Sequence, residues 1–483
     1  MHPISVLRIL VILLIIIAGF MVFPIIVALY YGEVGYIRFF LQPIVGILIF
    51  GGIVLLASRR IKPFLSARDG FLLVTLSWVT ASAAGALPFY LSGAIPAYVD
   101  AYFETMSGFT TTGASILTAI EPLPKCILFW RSLTHWLGGM GIVVLTVAVL
   151  PILGIGAYRL VKAEAPGPSL DKLTPKITKT AKILWFTYLA LTVTETLLLM
   201  AGGLDLFDSL THTFGTLATG GFSPKNTSVG FYNSTYVDIV ITVFMMMAGI
   251  NFVLYFRLIS GRAVDVVRNA EFRTYLIIFG AATLLIAISL YRQAYPTFGM
   301  SLRYAGFQVS SILTTTGYAT ADFAAWPAFA QNVLFALMFI GGCSGSTGGG
   351  IKVIRLITVF KLGLNEMRLL TRPRGVFSLR LGGELVNAKT ARLMAGFFVL
   401  YIFFVLVIAL IVATGGNDIL TSISTALATV GNIGPGFGKI GPTLNFHHFP
   451  AYIKWFLSLA MLSGRLEVYT VLVLLLPAFW RRW

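Results

Sequence analysis

The stretch Phe109-Thr-Thr-Thr-Gly-Ala-Ser115 decides how this chain is read, because it returns in altered form three more times. With their flanks the copies read AYFETMSGFTTTGAS over 101–115, LFDSLTHTFGTLATGGFS over 206–223, LRYAGFQVSSILTTTGYA over 302–319 and DILTSISTALATVGNIGPG over 418–436. Each opens near a polar, cap-like residue and continues as a short amphipathic stretch rich in Ser, Thr, Ala and Phe. Each closes with a bulky apolar residue, three further residues and a glycine. The bulky residues are Phe109, Leu217, Leu313 and Val430, and the glycines are Gly113, Gly221, Gly317 and Gly434. In the second copy Gly220 is an alternative register.

Each copy lies between long apolar runs. Of the 483 residues 57% are hydrophobic and only 11% charged, and the mean hydropathy is +0.89. A soluble protein of this length still exposes about a quarter of its unfolded surface, so this composition excludes a soluble enzyme, a secreted disulfide scaffold and a disordered chain. Two cysteines, Cys126 and Cys343, provide neither a disulfide framework nor a metal cluster. Runs long enough to span a bilayer fall at 5–30, 39–58, 70–94, 126–155, 183–203, 234–256, 275–291, 329–361 (broken), 390–414 and 451–479. The first continues past any small-residue cleavage pattern and reads as an uncleaved helix.

The formal net charge of +17 marks a membrane face rather than a nucleic-acid partner. With the N-terminus inside, inner segments hold 26 of the 35 lysines and arginines, outer segments hold 8, and Arg465 is left within a span. Positive charge on the cytoplasmic side then places both termini there. The outer face is near neutral and does not repel a cation.

The repeating unit is therefore helix, short re-entrant helix, extended glycine-containing strand, helix. Extended backbone at membrane depth is tolerated only when buried in protein or lining a water-filled path. Four such strands around one axis present rings of carbonyl oxygens that replace an ion's hydration shell. Glycine at the last position adopts φ > 0 cheaply and leaves the passage clear. The threonines before Gly113 and Gly317 supply only oxygen, which suits a hard monovalent cation. None of the four strands carries a carboxylate, which argues against a divalent-cation filter. The fold expected is an all-α integral membrane protein of four helix–re-entrant pore helix–helix repeats around a central pore, preceded by two extra transmembrane helices.

The chain is similar to TrkH/KtrB-type potassium transport subunits over nearly its whole length. The resemblance rests on FTTTGAS at 109–115, TGGFSP at 219–224, TTTGYAT at 314–320, GNIGPGFG at 431–438, GGCSGSTGGGIKVIR at 341–355 and GRLEVYT at 464–470. It implies potassium as the transported ligand, with no organic cofactor in this chain, and a filter at Thr111, Thr112, Gly113, Gly220, Gly221, Thr315, Thr316, Gly317, Asn432, Ile433 and Gly434. The second strand, LATGG, and the fourth, VGNIG, depart from TTTG, so sites between them are less symmetric than in a tetrameric channel. Glycine at all four key positions resembles the potassium-selective members rather than the serine-bearing, sodium-preferring plant relatives. The family also implies a homodimer with one pore per protomer in the bacterial cytoplasmic membrane, and a TrkA-like cytoplasmic nucleotide-binding partner. The units expected are two N-terminal helices over 1–68 and pore repeats over 69–158, 181–258, 274–362 and 388–483.

The eighth span is interrupted by Gly341-Gly342-Cys343-Ser344-Gly345-Ser346-Thr347-Gly348-Gly349-Gly350. Glycine costs a helix about 1 kcal/mol relative to alanine, so the helix opens here into a loop inside the membrane. Arg465 sits midway along the last span, where a charge must face a pore or a partner. Two readings remain open: structural glue to the broken helix, or an electrostatic barrier to cations beside the loop. Glu467, two residues on, points away from it. Glu195 is the other ionisable group in mid-span, read as a structural pair or a proton-coupling group. His135 and His212 read as hydrogen-bonded packing residues, and Trp130, Trp136, Trp326, Trp455, Trp480 and Trp483 as interfacial anchors. The function these readings favour is gated potassium uptake; the alternative is a proton- or sodium-coupled potassium symporter. An intramembrane enzyme needs a catalytic cluster, and the spans offer no paired Asp, no Ser with His and no His with Glu on one helix.

Overall fold

The computed structural model describes residues 3–60, 65–141, 177–375, 377–382 and 384–481. Helices dominate it, with one small hairpin in which Arg380–Leu381 pairs antiparallel with Glu384–Leu385. Six helices are long and apolar enough to cross a bilayer: Pro3–Tyr30, Val34–Ala57, Arg68–Leu91, Lys182–Ala201, Ala270–Leu290 and Ala388–Ala413. Ile49, Ile53 and Leu56 lie exposed along one side of the second of these, at the i, i+4, i+7 spacing of a single helical face. An apolar face left bare in this way belongs in lipid.

The remaining expected spans are interrupted, not only the eighth. Over 126–155 the helix Lys125–Trp136 gives way to a π-helical turn at Leu137–Gly141. The rest of that span, the end of the first expected repeat and the basic residues Arg159 to Lys176 lie outside the described residues, as do Lys62 and Trp483. Over 234–256 the chain turns by 96° between Thr235–Ala248 and Phe252–Ile259. Over 329–361 the glycine-rich loop separates Ala328–Leu337 from Val353–Thr371. The helix Ala451–Arg465 stops where Glu467 and Val468 take φ of 58° and 55°. Apolar periodicity reports burial and is blind to such breaks, which sit beside Gly138, Gly139, Gly249 and Gly464.

Backbone groups freed at one break are satisfied at another, as the apolar setting requires. Cys343 N donates to Gly249 O at 2.8 Å and Phe252 N to Gly345 O at 3.1 Å. The Thr347 hydroxyl donates to Ala248 O at 3.2 Å.

Glu33 docks the N-terminal pair of helices on the remainder. Its carboxylate accepts from Lys125 N at 2.7 Å and Cys126 N at 2.9 Å, so it caps a helix more than ninety residues away. An anion at a helix N-terminus satisfies orphan donors and complements the helix dipole. Glu33→Ala is expected to cost about 1–2 kcal/mol, read as a lower unfolding midpoint in detergent, with partial retention in Glu33→Gln.

The chain's two halves close on each other. Lys454 pairs with Asp100 at 2.6 Å, and Phe446 N donates to Ser115 O at 2.8 Å. Arg303 pairs with Asp238 at 2.7 Å in the corresponding place between the second and third copies. Tryptophan behaves differently from the interfacial expectation. Trp130, Trp136 and Trp326 are buried, and the indole N–H of Trp130 donates to Gly85 O at 2.9 Å. Among the described tryptophans of that set, Trp455 and Trp480 are exposed.

Candidate ion pathway

Four short helices carry the repeated motif: Tyr98–Phe109, Leu206–Leu217, Phe298–Leu313 and Ile419–Val430. Asp205, Thr297 and Asp418 cap the last three through their side chains. The first has no side-chain cap, and Asp100 sits instead in its first turn. Each helix ends on the bulky residue singled out in the sequence, and Phe109, Leu217, Leu313 and Val430 are all fully buried.

Beyond each helix the backbone repeats one conformation. Two residues on, φ turns positive at Thr111 (55°), Thr219 (56°), Thr315 (61°) and Asn432 (54°). Two residues further, Gly113, Gly221, Gly317 and Gly434 take φ of 79°, 80°, 83° and 94°. The register in the second copy is therefore Gly221. Amide donors in these turns bond back into the helix: Thr112 N to Ser107 O at 2.8 Å, Gly220 N to Gly215 O at 2.7 Å, Thr316 N to Ser311 O at 2.8 Å and Ile433 N to Ala428 O at 2.8 Å. Among the described residues no donor reaches the carbonyls of Thr111, Thr112, Thr219, Gly220, Thr315, Thr316, Asn432 or Ile433. Donors turned inward and acceptors left free make each turn a lining of oxygen.

The four turns abut in a closed ring. A Cβ added at Gly113 would lie 2.1 Å from Gly220 O, one at Gly221 2.1 Å from Thr316 O, one at Gly317 2.1 Å from Ile433 O, and one at Gly434 2.6 Å from Thr112 O. Any side chain at these glycines would displace the next turn's carbonyl. All four glycines line a single recess of about 130 Å³, together with Ser115, Asn226 and Asn445.

Buried polar groups hold the turns from behind. Glu104 and Arg131 form an ion pair at 2.7 Å that is almost fully buried. Glu104 also accepts from the Ser115 hydroxyl at 2.9 Å and from Ile116 N at 2.8 Å, while Arg131 donates to Ser223 O at 2.9 Å. The pair thus fastens the outward ends of the first and second turns. The His135 ring stacks on Phe222 at 4.0 Å, and a Cβ at Gly220 would meet its Nδ1 at 2.3 Å. That contact explains why the second copy has glycine where the first and third have threonine. His212 bonds Asp208 O at 2.7 Å and the Ser223 hydroxyl at 3.0 Å.

On the side of the ring away from that recess, the Gly341–Gly350 loop reaches the turns through Gly348 and Gly349. Gly349 N donates to the Thr315 hydroxyl at 2.7 Å, and a Cβ at Gly349 would meet Gly431 O at 2.4 Å. Arg465 joins this loop to two other elements. Its guanidinium donates to Thr347 O at 2.7 Å, to Gly138 O at 2.8 Å, to Gly139 O at 2.9 Å and to the Thr111 hydroxyl at 3.1 Å. Glu271 ties the loop to the helix that follows it, accepting from Ser344 N at 2.7 Å and Ile354 N at 3.1 Å. Lys352 donates to Gly348 O, and Arg355 pairs with Glu467. Glu467 thus pairs with the helix leaving the loop and not with Arg465.

The residues read from the sequence at the four turns lie together in this ring; of the loop, Thr347 meets Arg465 and Gly348 and Gly349 lie against the turns, while Cys343, Ser344 and Gly345 face Gly249, Glu271 and Asn251. Sequence reasoning passed over Thr219, although its place matches Thr111 and Thr315. Glu104, Arg131 and Glu271 carry no local sequence pattern that marks them. Glu195 is fully buried, and neither carboxyl oxygen has a hydrogen-bond partner among the described residues.

The TrkH family of cation transport proteins matches residues 36–481. The chain is similar to the Trk system potassium uptake protein TrkH of Escherichia coli, 41% identical over 100% of both chains. It is also similar to TrkI of Halomonas elongata, 36% identical over 99% of this chain and 97% of that one. These relatives are named as uptake proteins rather than enzymes. The crystal structure of the potassium transporter TrkH from Vibrio parahaemolyticus matches with a TM-score of 0.89 at 37% identity, covering 100% of both chains. By sequence and by fold, this chain belongs to the TrkH family of cation transport proteins.

Proposed function

We propose that this protein carries potassium into the cell across the bacterial cytoplasmic membrane, through a filter formed by the four turns at Thr111–Gly113, Thr219–Gly221, Thr315–Gly317 and Asn432–Gly434. The observation that carries this reading is the ring of backbone carbonyls that no donor reaches among the described residues. Such oxygens replace the hydration shell of a potassium ion. The four units then act as pore repeats around one axis, with both termini in the cytoplasm. The Gly341–Gly350 loop and Arg465 form the gate. The gate stays closed until a TrkA-like nucleotide-binding subunit draws the loop aside, and the working unit is a homodimer with one pore in each protomer.

Purified protein in liposomes, under imposed gradients of potassium, sodium and protons, tests this reading. Potassium flux that follows the potassium gradient alone supports it. One observation favours the symport alternative: Glu195, a buried carboxyl without a partner in the described structure. Potassium accumulation driven by a proton gradient, and lost in Glu195→Gln, would establish that alternative instead.

A further inference from the structure

Gate and filter share two side chains. Thr111 and Thr315 stand immediately inside the carbonyl ring, one residue before Thr112 and Thr316. The ring order runs first, second, third, fourth copy, so these two residues face each other across it. Among the described residues the Thr315 hydroxyl has one partner, Gly349 N of the loop, at 2.7 Å. The Thr111 hydroxyl likewise has one partner, the Arg465 guanidinium, at 3.1 Å. In both contacts the hydroxyl oxygen accepts.

The corresponding side chains of the other two copies bond away from the loop. The Thr219 hydroxyl donates to Ala218 O at 2.6 Å. The Asn432 amide donates to the Thr112 hydroxyl at 2.8 Å and to Met461 O at 2.9 Å. Gate contacts therefore fall on the one opposed pair of hydroxyls that nothing else engages among the described residues.

We propose that the Thr111 and Thr315 hydroxyls become ligands of a monovalent cation at the inner end of the filter only when the gate opens, so that loop closure and occupancy of that position exclude each other. This rests on the potassium-path reading above. A hydroxyl meets a cation with the same lone pairs that it offers to a donor. In the closed arrangement one oxygen faces an amide N–H and the other a guanidinium, and the guanidinium charge also repels an incoming cation. Binding and gating are then linked, and linkage is reciprocal. Whatever opens the loop strengthens the inner site, and potassium at the inner site favours the open loop. The filter in this account takes part in gating and is more than a passive sieve.

Cys343 reports on the loop without an added probe. It is 1% exposed, and the only other cysteine is Cys126. In a Cys126→Ala background in liposomes, the labelling rate of Cys343 by a methanethiosulfonate reagent would be compared in potassium and in N-methylglucamine. The expected result is labelling at least fivefold faster in potassium. Thr111→Val with Thr315→Val should abolish that difference, and Thr315→Ser should keep it. Equal rates in the two cations, in protein that passes potassium, would overturn the coupling and leave the transport reading standing. So would a potassium effect that survives in the valine pair. Failure of the parent protein to pass potassium would overturn both. If the valine pair does not fold, the comparison of cations in the Cys126→Ala protein still decides.

Discussion

Arg465→Ala should raise basal potassium flux in liposomes by one to two orders of magnitude. A guanidinium and a monovalent cation ~5 Å apart repel by ~3 kcal/mol at an effective dielectric constant of 20, and ~1.4 kcal/mol corresponds to a tenfold rate. The same change removes four hydrogen bonds, to Thr347 O, Gly138 O, Gly139 O and the Thr111 hydroxyl. The loop then loses part of its seat, which acts in the same direction. Arg465→Lys keeps the charge but has no planar fork to reach two elements at once, so its flux should fall between the two. Unchanged flux in correctly folded Arg465→Ala protein would leave Arg465 as glue alone.

The second large effect is expected at Arg131. Arg131→Ala leaves Glu104 buried and unpaired, and breaking such a pair costs about 3–5 kcal/mol. The thermal midpoint in detergent should fall steeply. Flux should also lose its preference for potassium, because Ser223 O loses its donor and Glu104 loses the partner that holds it against Ser115 and Ile116. Glu104→Gln with Arg131→Met removes both charges. It should recover much of the stability while leaving selectivity impaired, since the bond to Ser223 O is still missing. A midpoint for Arg131→Ala equal to that of the parent protein would contradict the role given to the pair.

The helix ends of the four turns were legible because a local signal marks them. A bulky residue must be buried where each short helix stops, and a glycine must follow where φ turns positive. The positive φ at Thr111, Thr219 and Thr315 was not legible. Branched residues avoid that region, and only the surrounding ring over-determines it. Asn432 tolerates it more readily, and it stands in the fourth copy where the first and third have threonine.

Longer-range features were silent for a different reason. Glu104 and Arg131 are 27 residues apart, Glu271 and Ser344 are 73 apart, and Thr111 and Arg465 are 354 apart. No local pattern encodes such meetings. The breaks near Gly138, Gly249 and Glu467 were hidden because apolar composition continues through them. The run of glycine at 341–350 gave the only interruption strong enough to be read directly.

Rubidium located by anomalous scattering in crystals of this protein would test the ring itself. The account predicts rubidium peaks on the axis between the carbonyl oxygens of Thr112, Gly220, Thr316 and Ile433. Rubidium bound elsewhere in the membrane-spanning region, with no peak on that axis, would contradict it.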